Sequence, residues 1–192
     1  MLYIIIIIIS ITGGLLRGGE LDRLSHITIE GIPLFAIALL LRLGVWLVGL
    51  LNYSSILKYG PHLIIISYFL LTFVSIRNIK LPGFKYIILG LLLNGFVIVL
   101  NGGKMPVLFK QSMIGNNNTA SFSGTENSTI HFLMNNNTLF AFLGDVFAMP
   151  KSFPTNELIS VGDIMIFVGL FIFIQKTMMK KEPLRQEEAN SE

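Results

Sequence analysis

The chain contains a small set of ionisable side chains whose types suit acid–base chemistry or cation binding. Lys104, His131, Asp145 and Asp163 supply an amine, an imidazole and two carboxylates. Brought together, such groups suffice for proton transfer or for holding a cation through oxygen ligands. Their spacing matches no metal-ligand, nucleophile or phosphate-loop motif, and the chain has no cysteine. The sequence therefore predicts no metal site and no cofactor, and it leaves open whether the protein is an enzyme.

These groups belong to an unusually apolar chain. Of its 192 residues 53% are hydrophobic and 13% are charged, whereas soluble domains carry roughly 25% charged residues. The apolar residues are gathered into runs too long for the core helices of a soluble protein. The basic residues lie beside these runs and form no face with interleaved aromatic residues, so no nucleic-acid partner is expected. The composition predicts an integral membrane protein whose main partner is the lipid bilayer.

The apolar runs predict an all-α membrane protein with a bundle of about five transmembrane helices and one short re-entrant or interfacial helix. The predicted spans lie near residues 2–16, 33–51, 62–76, 84–101 and 158–176, within a transmembrane domain of residues 1–178. The connection over residues 102–157 contains a short apolar helix at residues 138–149, which is too short to cross a bilayer. Residues 179–192 are polar and are expected to be a disordered cytoplasmic tail.

The positions of Lys and Arg predict the orientation of the bundle. With the N-terminus outside, most basic residues lie in the inner segments, and the short outer turn holds only Lys58. The first apolar run has no basic residue before it and no cleavage site, so it is expected to remain as a span. The sequence thus predicts a multi-pass protein of the bacterial cell membrane with its N-terminus outside and its C-terminus in the cytoplasm.

Polar residues inside the predicted spans indicate where a site would lie. Arg42 falls near the middle of the second span, where insertion of an arginine costs about 2.5–3.5 kcal/mol. At about 1.5 Å per residue, Arg42, Asn94 and Asp163 lie roughly 13, 10 and 6 Å below the outer ends of their helices. Gly90, Asn94 and Asn101 share one helix face, which is predicted to point towards Arg42 and Asp163. Alternatively, these groups only hold helices together, at about 0.6–2 kcal/mol per hydrogen bond.

Several short motifs occur in order along the whole chain. They are Arg17-Gly18-Gly19, Asn101-Gly102-Gly103-Lys104-Met105-Pro106-Val107, Thr138-Leu139, Leu143-Gly144-Asp145-Val146 and Ser160-Val161-Gly162-Asp163. As a set they resemble a family of small bacterial integral membrane proteins of unknown function. The resemblance implies no activity, substrate or cofactor. It does imply that the positions to test are Asn101, Met105, Pro106, Asp145 and Asp163.

The leading functional hypothesis is an outward-facing polar pocket that binds a small polar molecule, an ion or a lipid head group. Its predicted lining consists of Arg42, Asn94, Asn101, Lys104, Met105, Asp145 and Asp163. One alternative is a membrane enzyme acting on a lipid-linked substrate at the outer leaflet, with Asp145 or Asp163 as base and Lys104 or Arg42 holding phosphate. Another is a structural or assembly subunit that contacts a membrane-protein partner or a second copy of the chain.

Overall fold

The protein is mostly helical, as the sequence predicts. The computed structural model describes residues 2–51, 58–108, 130–149 and 158–179. Within these ranges the chain forms five α-helices, which fall over the five apolar runs: α1 Leu2–Leu16, α2 Ile32–Leu50, α3 Gly60–Arg77, α4 Phe84–Leu100 and α5 Val161–Met178. Proline lies in the first turn of α2 and of α3, where its missing N–H leaves no helix hydrogen bond unmade.

Among the described helices, α2, α3 and α5 are long and apolar enough to cross a membrane. Helices α1 and α4 are apolar but shorter, with 15 and 17 residues. Large apolar side chains remain on the outside of the bundle, and Leu40 on α2 and Phe69 on α3 are 65% and 69% exposed. A continuous apolar outer surface of this kind is typical of helices that contact lipid.

Each helix packs against the next in the order α1, α5, α4, α3, α2. Helices α1 and α5 are parallel. Near their N-terminal ends the rings of Tyr3 and Phe167 are 5.0 Å apart. Near their C-terminal ends the Gln175 side chain donates a 2.6 Å hydrogen bond to the backbone oxygen of Ser10. Helices α1 and α2 are consequently the first and the last in this packing order.

Paired glycines bring α4 and α5 unusually close together. A Cβ atom at Gly90 would overlap the carbonyl oxygen of Gly162, and one at Gly83 would overlap that of Gly169. In each segment the two glycines are seven residues apart, Gly83 and Gly90 in one and Gly162 and Gly169 in the other. Residues seven apart lie on the same helix face, so the glycines form one stripe on each side of the contact. Small residues at a helix interface let two backbones approach, as is common in membranes. The stripe fixes the distance between the two helices that hold Asn94 and Asp163.

Short strands cover one end of the bundle, which we call the strand end. Strand β1 (Met105–Val107) pairs in parallel with β2 (His131–Leu133), and β3 (Phe147–Ala148) pairs antiparallel with β4 (Leu158–Ile159). Val107 also forms a parallel bridge with Asp145. These strands are an addition to the predicted all-α fold. The opposite end, which we call the basic end, carries Arg17, Arg23, Arg77, Lys80, Lys85 and Lys176.

The structure differs from the prediction of a short apolar helix at residues 138–149. This described segment contains a single 3-10 turn, Ala141–Leu143, followed by an extended chain. Its backbone groups are used in strand pairing, since the Asp145 N–H donates to the Pro106 oxygen at 2.9 Å and Phe147 pairs with Ile159. The Asn-rich tract at residues 116–127 and the predicted tail from residue 180 onwards lie outside the described residues.

The close approach of α4 and α5 can be tested with one added methyl group. Gly90→Ala is expected to lower the free energy of unfolding by about 1–3 kcal/mol, because the methyl group must push the α5 backbone away. Gly95→Ala is the matched control on the same helix, since its Cβ meets Tyr68 at an ordinary 3.8 Å. The measurement is unfolding of the purified protein in detergent, followed by circular dichroism. Equal stabilities of the two variants would contradict the packing described above.

Candidate functional site

Two apolar clusters fill the interior of the bundle at different depths. Towards the basic end lie Ala38, Leu71, Phe84, Ile87, Leu91 and Ile166. Towards the strand end lie Val45, Ile64, Val97, Ile98 and Met105. On α2 the residue between the two clusters on the same helix face is Arg42, and on α4 it is Asn94. Polar side chains therefore separate two apolar layers.

We call this set of side chains the polar layer. Each of the described α-helices contributes one member, and in chain order these are Tyr3, Arg42, Tyr68, Asn94 and Asp163. Tyr68 packs against both apolar clusters. The charge of Arg42 interacts electrostatically with Tyr68, Tyr3 and Asp163. The side chains thus converge from separate helices on one region, which extends from the buried Asn94 to Tyr3, 41% exposed, at the edge of the bundle.

Asp163 is the centre of the hydrogen bonds in the polar layer. Its Oδ1 atom accepts from Asn94 Nδ2 and from the Tyr3 hydroxyl, both at 2.9 Å. Its Oδ2 atom accepts from the backbone N–H of Ser160 at 3.2 Å, and its own N–H donates to Ser160 Oγ at 2.9 Å. The last two bonds form a capping box that begins α5. Asp163 therefore links α1 and α4 to the first turn of α5.

Asn94 is almost completely buried, with 1% of its surface exposed. Its Nδ2 atom donates to Asp163, and its Oδ1 atom accepts a 2.8 Å hydrogen bond from the Ser160 hydroxyl. Both ends of the amide are therefore paired, as a buried polar group requires. Asn94 and Asp163 are thus in direct contact, as the shared helix face predicts.

Arg42 has a different neighbour from the one that the sequence predicts. It lies on the same face of α2 as the buried residues Ala38 and Val45, and its guanidinium carbon is 4.4 Å from the centre of the Tyr68 ring. Among the described residues no ion pair involves Arg42, and Asp163 acts on it only at longer range. A desolvated guanidinium over an aromatic ring gains about 2 kcal/mol. This gain offsets part of the cost of an arginine in an apolar bundle.

Asn101 and Met105 are used in the packing of the fold: Asn101 binds backbone groups, and Met105 is part of an apolar cluster. Asn101 Nδ2 donates to the backbone oxygens of Val97 and Leu139 at 2.8 and 2.9 Å, and Asn101 Oδ1 accepts from the Leu139 N–H at 3.1 Å. Met105 is 6% exposed and belongs to the apolar cluster at the strand end. Lys104, half-buried, lies between them. Asn101 and Met105 hold the strand segment on the end of α4.

Asp145 and His131 form a second polar pair at the strand end. Asp145 Oδ2 is 3.8 Å from His131 Nε2, and Asp145 is 7% exposed. Burial, followed by the negative charge of Asp163, raises the pKa of Asp145 to about 8. Burial also lowers the pKa of His131 from its ordinary value, against an opposing effect of Asp163. At neutral pH the raised pKa favours the protonated, neutral form of Asp145, and the lowered pKa favours the neutral imidazole of His131.

Sequence reasoning did not identify Ser160, Tyr3 or Tyr68 as members of this site. The Ser-x-x-Asp pattern at Ser160 and Asp163 is a capping-box signal that was available in the sequence. The tyrosines carried no comparable signal, because interfacial tyrosines are common in membrane proteins. In the part of the chain that the structure describes, no group of three His, Cys, Asp or Glu residues could hold a metal ion.

Comparison with known proteins places the chain in a family. It belongs to DUF5317, a family of unknown function whose profile matches residues 26–175. An uncharacterised protein of Thermotoga maritima is 30% identical over 168 residues, which cover 87% of this chain and 88% of that protein. No solved structure matches. The residues matched by the family include Arg42, Tyr68, Asn94 and Asp163, and they exclude α1 with Tyr3.

The pH dependence of stability tests the burial of Asp145. Its pKa is near 8 in the folded protein and 3.8 in its ordinary state, so between these values the native state binds more protons than the unfolded state. Stability must then fall as the pH rises towards about 8. His131 opposes this trend only below its ordinary pKa of 6.5. Between pH 6.5 and about 8 the effect of Asp145 on stability can therefore be measured without that of His131.

Within this interval we expect the melting temperature of the wild-type protein to fall with pH. The Asp145→Asn variant has nearly the same shape but no ionisable proton, so its melting temperature is expected to change much less. Thermal unfolding in buffered detergent at half-unit pH steps is the measurement. Parallel curves for the two proteins would show that Asp145 is not the titrating group.

Proposed function

We propose that this member of DUF5317 is a multi-pass protein of the bacterial cytoplasmic membrane whose polar layer binds an anionic group. The group is the phosphate or carboxylate of a small polar molecule or of a lipid head group in the outer leaflet. The observation that carries this proposal is the position of Arg42. Its charge lies inside the bundle beside an aromatic ring, and the nearest acidic side chain of the polar layer already has its own hydrogen-bond donors.

The membrane placement is supported by helix length and by charge. Helices α2, α3 and α5 are long enough to cross a membrane, and α1 and α4 are about 23 and 26 Å long at 1.5 Å per residue. A hydrocarbon core of about 30 Å exceeds these two lengths by an amount that local thinning of the bilayer can accommodate. The concentration of Lys and Arg at the basic end favours the cytoplasm for that end and the outside for the strand end.

The choice of an anion follows from the hydrogen bonds that Asp163 already accepts. Its two oxygens accept hydrogen bonds from Asn94, Tyr3 and the Ser160 backbone. None of these donors is charged, and among the described residues no ion pair joins Asp163 to Arg42. An anionic ligand at Arg42 would supply the charge-assisted hydrogen bonds that the guanidinium can make. Since α1 and α2 are the first and last helices of the packing order and have no extensive contact with each other, such a ligand could enter between them from the lipid phase.

A membrane enzyme is the second candidate, and the Asp145–His131 pair favours it. A buried carboxyl group with a pKa near 8 can donate or accept a proton at neutral pH. The substrate would be a lipid-linked molecule at the outer leaflet, with Asp145 as acid or base and Arg42 holding phosphate. Turnover of such a substrate by purified protein, and its loss in Asp145→Asn, would distinguish catalysis from binding alone.

The orientation can be tested with single cysteines, because the natural chain has none. Asn136 and Thr28 are exposed residues at the strand end and the basic end. A membrane-impermeant maleimide is expected to label Asn136→Cys in intact bacterial cells and Thr28→Cys only after the cells are permeabilised. The reverse pattern would invert the proposed orientation. Labelling of both residues in intact cells would contradict a membrane-spanning arrangement.

The anion site can be tested by the replacement Arg42→Gln. Lys58→Gln is the matched control, because Lys58 also lies over a tyrosine ring, 4.9 Å from the Tyr59 centroid, but on the surface. Native mass spectrometry of protein extracted from bacterial membranes measures retained small molecules. Wild type and Lys58→Gln are expected to retain a phosphate- or carboxylate-bearing molecule, and Arg42→Gln to retain at least tenfold less. Equal retention by all three folded proteins would remove the support for the site.

A further inference from the structure

A cavity of about 300 Å³ lies at the basic end, away from the polar layer. It is bounded by the turn between α3 and α4, by the first residues of α4 and by the last turns of α5. Its size is at the lower limit of known small-molecule sites. The cavity is therefore large enough for a phosphate-bearing head group.

Three exposed lysines surround this cavity: Lys80 from the turn, Lys85 from α4 and Lys176 from α5. Arg77 and Arg23 at this end have acidic partners, Glu30 at 3.0 Å and Glu20 at 2.8 Å, and Arg17 donates a hydrogen bond to Gln175. Within the described ranges, no ion pair involves any of the three lysines. Their positive charge is thus concentrated around the cavity and is not neutralised by a described carboxylate.

Two further features of the cavity favour an anion joined to an apolar body. The N-terminal end of α4 lies at the cavity, and the partial positive charge of a helix N-terminus attracts anions. The remaining wall includes the apolar or amphipathic side chains of Leu81, Tyr86 and Ile172. Tyr86 is 45% exposed, which is typical of a tyrosine at a membrane interface.

We propose that this cavity binds the phosphate of an anionic phospholipid in the cytoplasmic leaflet. The three lysines would contact the phosphate, while Leu81 and Ile172 contact the glycerol and the first part of the acyl chains. Basic pockets between transmembrane helices on the cytoplasmic side bind acidic head groups in this way. The inference rests on the proposed membrane orientation, but it is independent of ligand binding at Arg42.

The experiment is a lipid titration of the delipidated, full-length protein in neutral detergent, followed by native mass spectrometry. Phosphatidylglycerol and phosphatidylcholine with identical acyl chains are compared. We expect phosphatidylglycerol to bind at least tenfold more tightly. Each of Lys80→Gln, Lys85→Gln and Lys176→Gln is expected to weaken its binding about fivefold, and the triple variant on the order of a hundredfold.

Arg77→Gln is the matched control, since it removes a positive charge from the same end but from a residue already paired with Glu30. It is expected to leave phosphatidylglycerol affinity within about twofold of wild type, because the charge that it removes is already paired with Glu30. An equal loss in Arg77→Gln would overturn the proposal in favour of general surface charge. Displacement of the lipid by equimolar inorganic phosphate would also overturn it, by assigning the cavity to a free anion. A loss confined to Arg42→Gln would assign the lipid to the polar layer.

Discussion

The hydrogen bond between Asn94 and Asp163 is the interaction on which the strand end of the bundle depends. It requires that α4 and α5 lie close together, which the Gly90–Gly162 contact allows. Once this distance is fixed, Asp163 also accepts from Tyr3 on α1 and begins α5 through its capping box with Ser160. An unpaired polar group in an apolar interior would cost about 1–3 kcal/mol. The network is therefore expected to form as a unit.

The position of the helices and three of the five members of the polar layer could be predicted from the sequence. Apolar runs identify helices because a long run has few other stable structures, and the face shared by Gly90 and Asn94 indicates which side is buried. Depth along a helix, however, does not fix the rotation of a neighbouring helix. Arg42 therefore contacts Tyr68 and does not reach Asp163 directly. Nothing in the type or spacing of Tyr68 distinguishes it from an interfacial tyrosine.

The segment at residues 138–149 shows a second limit of sequence reasoning. Its apolar residues suggest a helix, but strand pairing depends on partners that are distant in the chain, such as Pro106 and Ile159. An asparagine that follows a helix and binds the backbone of a distant loop is a further feature that composition does not reveal. Asn78 after α3 exchanges hydrogen bonds with the backbone of Glu30, as Asn101 after α4 does with Leu139. One asparagine fixes a loop at the basic end and the other at the strand end.

A double-mutant cycle between Asn94→Ala and Asp163→Ala tests the central interaction most directly. Unfolding free energies of the wild type, both single variants and the double variant would be measured in the same detergent. Because the two side chains are bonded inside an apolar bundle, we predict a coupling energy of about 0.6–2 kcal/mol. Additive effects, within about 0.3 kcal/mol, would show that Asn94 and Asp163 act independently and would contradict a polar layer built around them.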